Sequence, residues 1–151
     1  MLRKSGVALI IGVAFYVALG CRATAFTLIT DDEAKRPPGP LGPMGPIPGP
    51  VIQVVSPTDD VPLSSPIRFV VRFRSFAMTL IDFNSLRLVY VKKPLIDLTE
   101  RSRKFLKLDP SGSSFILEDA EVPPGIHVIR IDVRDTAGRP GSSYIKFEVV
   151  Q

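Results

Sequence analysis

Residue types that could catalyse a reaction are scarce in this sequence. Its 151 residues include one cysteine, Cys21, and one histidine, His127. A nucleophile with its base, or a zinc centre, needs several such residues in one place. The segment Gly141-Ser142-Ser143 lacks the second glycine of a nucleophile elbow, and the sequence has no glycine-rich phosphate loop. We therefore predict no enzyme activity, no cofactor and no metal centre, and we expect His127 to hydrogen-bond a nearby backbone group.

The remaining polar groups of interest are charged side chains in three predicted loops. They are Asp59, Asp60, Arg101, Arg103, Glu118, Asp119 and Glu121. If the strands run up and down, the loops after the first, third and fifth strands share one end, away from the linker. We predict that this charged tip is the interaction surface, because binding residues concentrate on loops. Ordinary solvated turns are one alternative, and a calcium site is another, although no spaced calcium-loop motif is present.

Short strands after Pro50 must position these loops. Apolar runs separated by Pro, Gly, Ser and Asp predict strands at 51–55, 67–74, 86–91, 115–117, 127–133 and 145–149. Within 67–74 every second residue is apolar, so one face is expected in the core and the other in water. Residues 96–108 are ambiguous, because 97–100 favours a helical turn and 105–108 favours a further strand. The pattern predicts an all-β sandwich of about seven strands over residues 51–151.

The first twenty residues have the pattern of an export signal. Arg3 and Lys4 form a positive start, and residues 7–20 form an uncharged, mostly apolar run that is short for a membrane span. We predict a signal peptide over residues 1–20.

The cysteine follows this run directly. Ala18-Leu19-Gly20-Cys21 resembles the bacterial lipobox, which implies diacylglycerol and palmitate on Cys21 as the new N-terminus. Two alternatives remain open: cleavage after Ala25, which would release a soluble chain, and an uncleaved helical anchor over residues 5–25. Lipidation is favoured because it gives a single exported cysteine a covalent fate.

Residues 21–50 are predicted to be a disordered linker. Residues 37–50 are rich in Pro and Gly, with Gly-Pro-X triplets at 39, 42 and 45. Three triplets are too few for a collagen triple helix, but frequent proline biases one chain to polyproline II. The segment is therefore interpreted as a spacer that holds the domain off the membrane. A docking site for the aromatic groove of a partner is the alternative.

A second resemblance covers about residues 51–151. Residues 123–138 contain Gly125-Ile126-His127, an alternating strand and an Asp-x-x-Gly turn, and a last strand ends in Phe147-Glu148-Val149. This pattern resembles the closing hairpin of bacterial Ig-like domains, and residues 81–86 and 96–99 resemble their middle strands. The resemblance implies an Ig-like β-sandwich and favours binding, without choosing a ligand.

Charge and composition limit the partners. The formal charge is +4, and without Arg3 and Lys4 it falls to about +2. Basic and acidic residues are interleaved, so we predict no nucleic-acid binding. The predicted function is a non-enzymatic envelope lipoprotein, anchored to a membrane by lipid, whose domain binds another envelope protein. The alternative is a polysaccharide- or calcium-binding module of the cell envelope. Arg22, where many inner-membrane lipoproteins carry Asp, favours the outer membrane.

Overall fold

Two five-stranded sheets face each other in the computed structural model, which describes residues 25–43 and 48–151. The strands are β1 (Phe26–Thr27), β2 (Val51–Ser56), β3 (Leu63–Ser64), β4 (Ile67–Arg74), β5 (Ile81–Tyr90), β6 (Ile96–Asp97), β7 (Leu106–Leu108), β8 (Ser114–Glu121), β9 (Gly125–Asp135) and β10 (Pro140–Val150). Two short helices are α1 (Asp31–Ala34) and α2 (Thr99–Arg103). The predicted all-β sandwich is confirmed.

The first sheet has the order β1-β8-β4-β2, with β7 also paired to β8. The second sheet has the order β3-β10-β9-β5-β6. The described part of the chain holds ten strands rather than about seven, because β1, β3 and β6 are two-residue strands that pair at sheet edges. Both suggestions for residues 96–108 are realised in part, since helix α2 and strand β7 follow one another there.

The core lies between the two sheets and follows the predicted alternation. Ile67, Phe69, Val71 and Phe73 of β4 are all buried, and so are the inward residues of β9 and β10. Phe69 meets Phe147 edge to face, with ring centroids 5.4 Å apart. Each such apolar side chain contributes about 1.5–3 kcal/mol when it is fully buried.

Residues 26–36 were predicted to be disordered, and that prediction is wrong. Strand β1 pairs in parallel with the end of β8, and Leu28 and Ile29 are each 1% exposed. Thr30 and Glu33 form a reciprocal capping box around helix α1. The apolar residues of this segment complete the core, so the domain includes residues from Phe26 rather than beginning at Val51.

The Pro/Gly-rich segment also contacts the domain. We call residues 37–43 and 48–50 the proline strap. Its start lies beside the end of β5, where the Gly39 amide donates to the Val91 carbonyl at 3.0 Å. The Gly42 amide then donates to the Tyr144 hydroxyl on β10 at 2.9 Å. Because Ile145 points into the core, Tyr144 stands on the outer face of the second sheet, and the strap crosses that face.

Glycine spacing explains the close approach of the strap. Polyproline II has three residues per turn, so Gly39 and Gly42 share one side. A Cβ on Gly39 would lie 2.8 Å from the Lys92 carbonyl oxygen, and a Cβ on Gly49 would overlap Pro140 and lie 2.6 Å from the Arg139 carbonyl oxygen. The predicted free spacer is therefore wrong for these residues. Residues 44–47 lie outside the described part.

We call the two ends of the sandwich near and far according to their distance from Phe26, where the described chain first joins a sheet. At the near end Phe26 pairs with Ala120, and the loops 57–62 and 121–124 lie beside it. At the far end the loop 75–80 joins β4 of the first sheet to β5 of the second sheet, next to the turn 136–139.

Candidate functional site

The predicted charged tip is divided among several places. Asp59, Asp60 and Glu121 lie toward the near end, where the chain joins the domain at Phe26. The Thr27 hydroxyl donates to the Glu121 carboxylate at 3.2 Å. This end was predicted to lie away from the point where the linker enters the first strand, and Val51 does pair with Arg74 at the far end. The N-terminal segment, however, joins the sandwich at the near end through Phe26.

Several tip residues hold parts of the fold together. Arg101 donates to both carboxylate oxygens of Glu33 at 2.8 Å and to the Leu28 carbonyl at 3.0 Å. These bonds fasten the N-terminal segment, and they hold the pKa of the Glu33 carboxyl below its usual value. Such a bidentate pair stabilises the fold and is no longer free for a partner.

The three remaining tip residues lie within the first sheet and in α2. Glu118 lies between Arg68, at 3.6 Å, and Lys107. Arg103 pairs with Glu100 at 3.5 Å and lines an apolar cavity of about 130 Å³ beside Leu86. Asp119 has a φ of 54° at an irregularity in β8. The tip residues therefore do not form one surface.

Two further predictions concern lipidation at Cys21 and the absence of a metal centre. Cys21 lies outside the described residues. Within residues 25–43 and 48–151, no group of three or more His, Cys, Asp or Glu side chains is arranged to hold a metal ion. No helix in those ranges has the length and apolar character needed to cross a membrane.

His127 lies in the core, as a structural residue would. Its Nε2 lies 2.8 Å from the Pro123 carbonyl oxygen and its Nδ1 lies 2.8 Å from the Tyr90 hydroxyl. A carbonyl only accepts, so Nε2 carries the proton and Nδ1 accepts from Tyr90. Burial lowers the pKa of His127 and raises the pKa of Tyr90 to about 12. The predicted hydrogen bond to the backbone is confirmed.

The most unusual surface feature is the loop 75–80 at the far end, which we call the apolar loop. Met78 is fully exposed, Leu80 is 69% exposed and Phe76 is 48% exposed. Covering exposed apolar side chains of this size with another apolar surface lowers the free energy of the system. The loop was not among the predicted interaction residues, although Phe76-Ala77-Met78 between two strands is an apolar signal where turns are usually polar.

The backbone of the apolar loop is strained. Ala77 and Met78 have φ values of 54° and 56°, in the left-handed region that costs non-glycine residues about 1–3 kcal/mol each. Such strain persists only where surrounding contacts impose it, and it concentrates at functional sites.

A buried carboxylate supplies those contacts. Asp135 is 2% exposed and accepts from the Arg139 guanidinium at 2.7 Å and from the Thr79 hydroxyl at 3.1 Å. Arg139 in turn donates to the Phe76 carbonyl at 3.0 Å. Burial alone would raise the pKa of Asp135, but the hydrogen bonds from the Arg139 backbone and side chain and from Thr79 lower it. The buried Asp135 carboxylate thus fixes the backbone of the loop, while the apolar side chains of the loop point into solvent.

The arrangement suits binding rather than reaction. The apolar loop presents three large apolar side chains, and the Arg74 guanidinium lies 6.0 Å from the centre of the Phe76 ring. The titratable group beneath the loop, Asp135, already has its hydrogen-bond partners. The geometry is that of a firm protrusion able to enter a pocket on another molecule.

Comparisons with models of protein families, with characterised proteins and with solved structures found no match.

Proposed function

We propose that this chain is a bacterial envelope lipoprotein, acylated at Cys21, whose Ig-like sandwich binds another envelope protein through the apolar loop. The observation that carries the proposal is the exposure of Phe76, Met78 and Leu80 on a loop whose backbone is already fixed.

A fixed loop favours a protein partner. Binding orders side chains and loops at a cost in entropy, and a loop that is rigid beforehand avoids much of that cost. Phe gives a large contact area, and the flexible thioether of Met78 adapts to an irregular apolar pocket. A few central apolar anchors commonly carry most of the binding free energy of a protein interface.

The position of the loop agrees with an anchored chain. The described chain begins at residue 25 and joins the sandwich at the near end, whereas the apolar loop lies at the far end. A lipid on Cys21 would therefore leave the loop unobstructed by the anchor.

Site-specific photocrosslinking in intact cells tests the interface. A photoreactive residue at Met78 is expected to capture one envelope protein, whereas the same residue at Asp60, exposed near the opposite end, is the matched control. Leu80→Glu should abolish the capture at Met78 without lowering the level of the protein. Equal capture from both positions, or no capture from Met78, would contradict the proposed interface.

The anchor has a separate test. The mass of the mature N-terminus is expected to show an acylated cysteine at position 21. An unmodified chain that starts at Phe26 would refute the lipid anchor and leave the interface proposal in place.

A further inference from the structure

The outer face of the first sheet is basic over most of its length. On β4, the buried residues alternate with Arg68, Arg72 and Arg74, which point away from the core and are exposed. Lys107 of β7 pairs with Ile116 of β8 and lies on the same face.

The acidic residues of this face lie toward the near end. Glu118 contacts Arg68 and Lys107, and Asp119 and Glu121 follow it along β8. Arg72 and Arg74, in contrast, make no salt bridge within the described residues; Arg74 contacts the Phe76 ring. The two arginines therefore retain charge that an external anion can neutralise.

Apolar side chains lie between the basic ones. Val51 pairs with Arg74 across the strands and is 41% exposed, and Val55 is 38% exposed. Val70 pairs with Ile116, and both are partly exposed. Surfaces of this mixed kind contact the boundary between lipid headgroups and acyl chains, where anionic groups and apolar groups are close together.

The outer face of the second sheet is different. Its charges have neighbours of opposite sign on the face itself: Arg130 and Asp132 lie 2.9 Å apart, and Arg87 and Asp97 lie 3.6 Å apart. Arg134 and Lys146 make no salt bridge within the described residues, but Asp82 is the cross-strand partner of Arg134, and Glu148 follows Lys146 on the same side of β10. The proline strap covers part of it, from Val91 to Tyr144. The open, basic face thus belongs to the first sheet.

The length of the chain places that face near the membrane if Cys21 is acylated, so the inference rests on the proposed anchor. Strand β1 lies at the edge of the first sheet. Five residue steps separate Cys21 from Phe26 and reach at most about 18 Å. Three spacings of about 4.8 Å cross this sheet from β1 to β2. Arg74 lies seven residues along β4 from Ile67, which pairs with Ala120 as Phe26 does, so it lies roughly 25 Å from β1. The short connection keeps the sheet beside the membrane, and the charge of its outer face then decides how the domain is oriented.

We infer that the outer face of the first sheet, centred on Arg72 and Arg74, rests on the anionic phospholipid headgroups of the membrane that holds Cys21. In this orientation the domain lies on its side, and the apolar loop points along the membrane surface. The partner of the loop is then a protein that is itself at that membrane.

Thiol accessibility in the acylated, mature protein tests the orientation. Acylation occupies Cys21, so a new cysteine is the only reactive thiol. Gln53→Cys places it beside Arg72 on the basic face, and Lys146→Cys places it on the second sheet as the control. Each sample is reconstituted in phosphatidylcholine vesicles with or without phosphatidylglycerol, and the rate of labelling by a bulky maleimide is measured.

Phosphatidylglycerol is expected to slow labelling at Gln53→Cys about fivefold or more and to leave Lys146→Cys unchanged. One basic residue near an anionic surface contributes about fivefold to its affinity, so adding Arg72→Gln and Arg74→Gln should weaken the contact about 25-fold and restore labelling. Arg134→Gln with Lys146→Gln removes the same charge from the second sheet and should leave the protection of Gln53→Cys intact. High salt should abolish the protection.

Four results would overturn the inference. They are equal labelling on neutral and anionic vesicles, protection of Lys146→Cys instead, equal loss of protection in both charge-removal pairs, and stronger protection by duplex DNA than by anionic vesicles. The N-terminal mass of each sample separates the two proposals. An acylated sample without protection refutes the membrane face alone, whereas failure of acylation refutes the anchor as well.

Discussion

The proline strap and the apolar loop are both irregular segments, and different contacts fix them. The strap is fixed mainly by its backbone, through amides at Gly39 and Gly42 and through close approach at Gly49. The apolar loop is fixed by side chains that converge on Asp135. A segment held by close backbone approach is sensitive to added atoms, whereas one held by a carboxylate is sensitive to charge and pH.

Adding one methyl group to the strap should have the largest effect. Gly49→Ala would place a Cβ against the backbone of Pro140 and Arg139, and neither segment can move without disturbing the start of β10. We expect a loss of about 3 kcal/mol in the free energy of unfolding, measured by urea denaturation. Gly42→Ala is the control, because its nearest atom is the side-chain hydroxyl of Tyr144 at 3.4 Å. Similar losses for both variants would show that the close approach at Gly49 is unimportant.

Neutralising the carboxylate should be the next largest effect. Asp135→Asn keeps the shape of the side chain but removes the negative charge to which Arg139 and Thr79 donate hydrogen bonds. We expect the melting temperature to fall by about 5 °C or more, because hydrogen bonds to a charged group contribute more than neutral ones. Hydrogen exchange should increase at residues 75–80 and not in the strap. Faster exchange in the strap as well would mean that the two segments are coupled.

The loop should also respond to pH through the same group. The folded-state pKa of Asp135 is lowered, so its contribution is present above the unfolded value of about 3.9 and is lost as pH falls through the folded value. The difference in melting temperature between wild type and Asp135→Asn should therefore be constant from pH 7 to about pH 5 and shrink below about pH 4. A difference that grows as pH falls would contradict this assignment.

A single hydroxyl of the strap should have a smaller effect. Tyr144→Phe removes the acceptor of the Gly42 amide, which lies at the surface and can bond to water instead. We expect a loss of about 0.5–1 kcal/mol in the free energy of unfolding, with hydrogen exchange faster at residue 42. A loss larger than that of Gly49→Ala would show that this bond holds the strap more firmly than the glycine contacts do.

The exposed side chain of the loop should contribute least to stability. Met78 is fully exposed, so Met78→Gln should change the free energy of unfolding by less than about 0.5 kcal/mol. Its expected effect is on capture of the partner, which separates binding from folding. A clear loss of stability would mean that Met78 packs against the protein itself.

Strand patterns were predictable, whereas both irregular segments were not. The alternation in β4 and β9 identified their buried residues correctly, because period two reflects burial of one face. The Gly-Pro-X triplets of the strap are the same in a free spacer and in a docked segment, so the pattern alone cannot distinguish them. The spacing of Thr30 and Glu33 is that of a capping box, and it would have predicted α1 within the segment that was predicted to be disordered.

The apolar loop depends on a partner that is distant in sequence. Ala77 and Met78 carry no local preference for positive φ, and the side chain that supports them is Asp135, more than fifty residues later. The predicted tip failed to cluster for a related reason. Arg101 and Glu118 have partners at Glu33 and Lys107 that only the folded topology brings close.

The strap has a consequence for the order in which the chain matures. Its Gly42 amide and the Tyr144 hydroxyl are 102 positions apart, and Thr27 is 94 positions from its partner Glu121. The N-terminal segment and the strap are therefore synthesised before the strands β8 and β10 that they contact. Contacts of such long range form slowly, and until β10 arrives the part of the core where Leu28 lies beside Ile145 is incomplete. A chain truncated before Tyr144 would keep an adhesive apolar start, which makes its N-terminal segment a ready target for chaperones and proteases.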